Sequence, residues 1–158
     1  MFVELRTNKF KASPGSELLV TLEVINRSNT EVRLVSMEVT SNDNVFALPS
    51  TLVYNQGYTK ELTIQTPEQL SIPYWLIKHP EEGMYKVDQQ KKRGTPADPP
   101  SITAAVKIEI NGTSITLQAP VIYKTVDPAE GEVIRPLSII PPVTVESVDE
   151  VLMFNQGH

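Results

Sequence analysis

The chain has 158 residues, 40% hydrophobic and 21% charged, enough for one globular domain that buries about two-thirds of its unfolded surface. Fourteen basic against nineteen acidic residues give a net charge of -5, which argues against nucleic acid as a partner, because such an interface needs a concentrated basic surface. The absence of cysteine excludes disulfides, iron–sulfur ligation and thiol catalysis together, and only two histidines, His79 and His158, stand available for acid–base or metal chemistry.

Met1-Phe2-Val3-Glu4-Leu5 reaches Arg6 without the apolar run of ~7–15 residues that a signal peptide needs. No apolar run approaches the ~18 residues of a membrane span. Ser13-Pro14-Gly15 is a turn signal. Ser16 to Asn26 then alternates, with Leu18, Val20, Leu22 and Val24 on one face and Thr21 and Glu23 on the other, the period of a strand. Val32 to Thr40 predicts a second strand whose phase slips. Val32 and Leu34 share a face before Val35, Met37 and Val39 take over, and a β-bulge near Leu34 accounts for the slip. Leu52-Val53-Tyr54 and Tyr58 to Gln65 read as two short strands around the turn Asn55-Gln56-Gly57.

From Thr66 to Pro100 the strand rhythm stops, and six prolines, the single tryptophan and the basic cluster Lys91-Lys92-Arg93 occupy this insertion. Segments such as Ile72-Pro73-Tyr74-Trp75-Leu76 and Met84-Tyr85-Lys86-Val87 are too apolar to remain fully solvated. The plainer reading makes Trp75 and its neighbours a lid over one open end of the domain. The sharper one makes Tyr74, Trp75 and Tyr85 a platform that stacks on a sugar ring, since aromatic faces suit the C–H faces of a pyranose. The basic cluster reads as a solvated loop tip offset by Glu81, Glu82, Asp88 and Asp98.

Ser101 to Tyr123 gives the firmest local pattern. Asn111-Gly112 is the preferred pair for a two-residue type I′ turn, because both positions need positive φ. Pairing Ile110 with Thr113 sets Ile108 across from Ile115, Val106 from Leu117, Ala104 from Ala119 and Ile102 from Val121, all on one face. A register one residue off destroys that agreement. Seven or eight strands with turns between them predict an all-β, immunoglobulin-like sandwich with a long insertion, a barrel being the alternative. Pro141-Pro142 is expected to end this domain at about residue 140. Val143 to Phe154 then reads as the linker and severed start of a following module, which makes the chain a piece of a longer protein.

The residues offer little for catalysis. His79-Pro80-Glu81-Glu82 superficially resembles a metal motif, but a zinc hydrolase site needs about three protein ligands around an open fourth position. No nucleophile elbow, phosphate-binding glycine loop or dinucleotide fingerprint occurs. No catalytic residue, metal ligand or cofactor is therefore expected. Asn26-Arg27-Ser28 and Asn111-Gly112-Thr113 match a glycosylation pattern, yet both asparagines fall at turns, where they are expected for conformational reasons.

Several phrases together resemble a family. Phe10 to Glu17 leading into Val20 to Ser28, and Tyr54-Asn55-Gln56-Gly57 before Glu61 to Ile64, are similar to the openings and turns of immunoglobulin-like (NEW3-like) modules. Pro73-Tyr74-Trp75-Leu76, Gly83-Met84-Tyr85, Pro120 to Lys124, Asp127-Pro128, Gly131-Glu132-Val133, Arg135-Pro136 and Pro141 to Thr144 follow in order. This set resembles the β-rich region downstream of the catalytic domain in large PIG-L (LmbE-like) deacetylases of Bacteroidetes-type bacteria. The resemblance implies a non-catalytic accessory module, periplasmic or extracellular, that spaces or orients the catalytic domain of an exported zinc-dependent sugar deacetylase. Its implied partners are the neighbouring domains of the same polypeptide. A carbohydrate-binding module using Tyr74, Trp75 and Tyr85 is the alternative, and an interaction domain pairing through an edge strand is a third reading.

Overall fold

The structure, a computed structural model, describes residues 1–40 and 44–145. The run Val151 to Phe154 and His158 lie outside the described residues. Ten strands follow in chain order: β1 (Phe2–Thr7), β2 (Lys11–Ala12), β3 (Glu17–Ile25), β4 (Val32–Val39), β5 (Asn44–Leu52), β6 (Gly57–Gln65), β7 (Thr103–Ile110), β8 (Thr113–Asp127), β9 (Gly131–Pro136) and β10 (Ser138–Ile139). One 3₁₀ turn, Gln90–Lys92, is the only helical piece among the described residues. The strands neighbour in the order β5-β4-β7-β8-β1-β3-β6, with β9 also on β8, and β2 pairs with β10 apart from them.

The long strand β8 belongs to two layers. From Thr113 to Pro120 it pairs antiparallel with β7. From Val121 it pairs parallel with β1 and, from Ile122, antiparallel with β9. One layer is therefore β5-β4-β7 with the first half of β8, and the other is the second half of β8 with β9, β1, β3 and β6. Pro120 stands at the changeover, where a missing N–H disturbs the ladders least, and Val121 N–H still donates to the Ile102 carbonyl at 3.0 Å. The result is the all-β sandwich expected, nearly closed through β8.

The core follows from period-2 alternation. Leu18, Val20, Leu22 and Val24 of β3 are each no more than 1% exposed. They share one cluster with Leu5, Ile64, Leu34, Met37, Val106, Ile108 and Val121 from both layers. Each such side chain contributes roughly 1.5–3 kcal/mol by leaving water.

The hairpin register is as the sequence predicts: Ile110 faces Thr113, Ile108 faces Ile115, Val106 faces Leu117 and Ala104 faces Ala119. Asn111 and Gly112 both hold positive φ, 50° and 77°. The tip of the hairpin outruns the core, however, so Ile115 stays exposed although it is in register. The bulge also falls where the phase slip places it, since β4 shifts register between Leu34 and Ser36 against both β5 and β7.

Two buried polar clusters fix the crossings between layers. At one end Asn26 is 2% exposed, and its Nδ2 donates to the carbonyls of Thr30 and Leu52 at 2.9 and 3.2 Å. Its Oδ1 accepts from the Ser28 amide and hydroxyl, both at 3.0 Å. This one side chain thus ties the β3–β4 crossing to the end of β5. At the other end, buried Thr66 donates through Oγ1 to the Ser13 carbonyl at 2.6 Å and accepts the Ser16 amide at 2.9 Å, which anchors the start of the insertion to the β2–β3 turn.

Asn26→Ala leaves the buried Leu52 carbonyl without its side-chain donor. A loss of about 1–3 kcal/mol is expected. Urea denaturation followed by far-UV circular dichroism should show a lower midpoint with an unchanged slope.

Candidate functional site

The insertion leaves and re-enters the sandwich through a clamp on β10. Ser71 N–H donates to the Ile139 carbonyl at 2.9 Å, and Ile139 N–H returns a bond to Ser71 Oγ at 2.8 Å. The Ser71 and Ser101 hydroxyls meet at 2.7 Å, and Ser101 Oγ donates to the Leu137 carbonyl at 3.0 Å. Farther out, Asp98 accepts the Tyr74 amide at 2.9 Å, and the Tyr74 hydroxyl donates to the Thr95 carbonyl at 3.1 Å. At the tip, ion pairs join Lys78 to Asp88 at 2.5 Å and Lys86 to Glu81. Arg93 grips the Val87 carbonyl through Nε and Nη2, at 3.0 and 2.9 Å. Side-chain bonds at successive levels thus do for this proline-rich loop what a ladder does for a hairpin.

Between the two arms lies an open cleft of about 550 Å³, lined by Tyr74, Trp75, Tyr85, Lys86, Val87, Asp88, Arg93 and Gly94. The three aromatic residues singled out from sequence therefore come together, although nine residues lie between Trp75 and Tyr85. Their arrangement is not a flat platform. The Tyr74 and Trp75 rings meet edge to face, with centroids 4.9 Å apart and planes at 89°. Tyr74 and Trp75 are half-buried, and Tyr85 is exposed.

The lid reading assigns the insertion's contact with the core to the wrong residue. The insertion side chain packed against the core is Leu70, beside the β10 clamp, and not Trp75. The reason is the clamp itself, which turns the chain outward after Ser71. Lys91 and Arg93 are exposed, as a solvated loop tip requires, and the Arg93 guanidinium also closes one wall of the cleft.

The ionic side chains of the cleft are mostly committed. The Lys78 ammonium beside Asp88 holds its carboxyl below the usual value of 3.8, with Arg93 and Lys86 adding smaller pulls in the same direction. His79, Glu81 and Glu82 are all exposed. Among the described residues, no three histidine, aspartate or glutamate side chains gather into a metal-binding group.

Because the folded state lowers the pKa of Asp88, the pair stabilises the tip above the ordinary carboxylate range and is lost as pH falls through the folded value. At pH 7, Asp88→Asn is expected to quicken proteolytic cleavage within 78–93 while leaving the global urea midpoint unchanged. The wild type should show the same quickening only below pH 3.8, the range in which its own Asp88 becomes neutral. Comparison with protein-family models, curated proteins and solved structures finds no match.

Proposed function

We propose that this chain is a non-catalytic accessory module of a larger exported, PIG-L-like sugar deacetylase, and that its contribution is to hold carbohydrate in the insertion cleft. The observation that carries the carbohydrate reading is the convergence of Tyr74, Trp75 and Tyr85 on one cleft beside Asp88 and Arg93. Apolar ring faces with a few convergent polar groups are the usual make-up of a small-molecule site. A pyranose offers the complement, an apolar C–H face rimmed by hydroxyls. The link to a deacetylase rests on the ordered sequence phrases from Pro73 to Thr144, and the same resemblance carries the periplasmic or extracellular location. In this reading the sandwich supplies a rigid mount, and the neighbouring catalytic domain supplies the chemistry.

Trp75 is the chain's single tryptophan, so its emission reports the cleft alone. Titration with oligosaccharides should quench or shift that emission, and Trp75→Ala should weaken binding measured by calorimetry by ~10-fold or more. Equal affinity of wild type and variant would overturn the cleft reading and leave the module as a spacer. Sugar deacetylation by the purified chain that is abolished by a chelator would overturn the non-catalytic reading.

A further inference from the structure

Resting on that reading, we infer that the cleft takes one pyranose ring, as a free sugar or a glycan end, and not the flat face of a polysaccharide chain. A chain lying along a surface stacks successive rings in nearly one plane, so its receptor must present coplanar aromatic faces. Tyr74 and Trp75 stand at 89° to each other, and only one of them can lie flat against such a chain. Tyr74 is not free to swing into the plane of Trp75. Its hydroxyl is held by the Thr95 carbonyl at 3.1 Å and its amide by Asp98 at 2.9 Å. Trp75 is then the stacking face, Tyr74 its buttress, and Tyr85 lines the same cleft from the next stretch of the insertion.

The polar groups fit the same ligand. Asp88 Oδ2 is taken by Lys78, which leaves Oδ1 as an acceptor. Arg93 spends Nε and Nη2 on the Val87 carbonyl, which leaves Nη1 as a donor. A neutral sugar satisfies both, since each hydroxyl donates and accepts.

The test uses the whole chain and isothermal calorimetry on two sets of probes, methyl glycosides of neutral hexoses and N-acetylhexosamines and the matching tetrasaccharides. For the best sugar, the tetrasaccharide should bind within about threefold of the monosaccharide, because Tyr74 offers no second face coplanar with Trp75. Affinity that climbs more than about tenfold with chain length would overturn the single-ring inference while leaving carbohydrate recognition intact. No heat and no change in Trp75 emission with any probe would overturn the carbohydrate reading itself and this inference with it.

Discussion

The register of one strand decides where everything else in this molecule stands. Positive φ at Asn111 and Gly112 fixes Ile110 opposite Thr113, and the period of two then carries that choice along β8 to Ala119 and Val121. There the strand changes layers. Val121 sits beside Leu5, so a slip of one residue at the turn would bring an exposed side chain to the centre of the second layer. It would also break the parallel pairing that holds β1 against β8. Because β9 and β10 follow β8 in the chain, the same register sets the place of Ser138 and Ile139, and Ile139 receives the clamp from Ser71. A two-residue turn thus positions a cleft on the far side of the chain's longest loop.

The insertion is stabilised unevenly, and the unevenness suits a binding site. Near the sandwich its bonds run to backbone groups of β10, beside the buried side chains of Leu137 and Ile139. At the tip the ties are ion pairs between side chains more than half exposed, which contribute only about 0–1 kcal/mol each. Stability therefore declines from stem to tip, and the cleft lies toward the weaker end. Binding loops are drawn from that end of a structure because they must adjust to what they hold. The outer face of the second layer is held differently. Glu23, Arg6, Glu4, Lys124 and Glu132 alternate in charge across β3, β1, β8 and β9, joined by ion pairs of 2.8 to 3.6 Å.

What the sequence makes legible is what repeats with a short period. The Ser101–Tyr123 hairpin, the β3 face and the slip near Leu34 each follow from alternation, and each appears in the structure. Strand β5 was not legible before Leu52, for a physical reason. It is an edge strand, Pro49 interrupts its ladder, and its own register slips opposite the β4 bulge, so no clean alternation survives. β1 was equally silent, because Glu4 and Arg6 are polar residues held half-buried by partners on other strands. Tyr74, Trp75 and Tyr85 stood out by their chemistry alone. Asp88, Arg93 and Asp98 did not, since charges scattered over a loop look like mutually compensating surface. Only folding shows that Asp98 holds the Tyr74 backbone and that Arg93 closes a wall around Val87.

Stability and recognition are carried by separate residues here. The sandwich core draws on every strand except the hairpin tip and β9, yet none of Tyr74, Trp75 and Tyr85 belongs to it. Replacing a ring in the cleft consequently removes a contact face without opening a cavity among Leu18, Val20, Ile64 and their neighbours, which is where large losses of stability arise. The two asparagines of the matching glycosylation patterns divide in the same way. Asn26 is spent entirely on structure, with every polar atom of its side chain bonded in the interior, whereas Asn111 lies exposed at a turn that needs it only for its φ. Identical local patterns thus take opposite roles according to whether the fold closes over them. The insertion, tied on by side chains and excluded from the core, is the part of the chain whose surface can change without changing the mount.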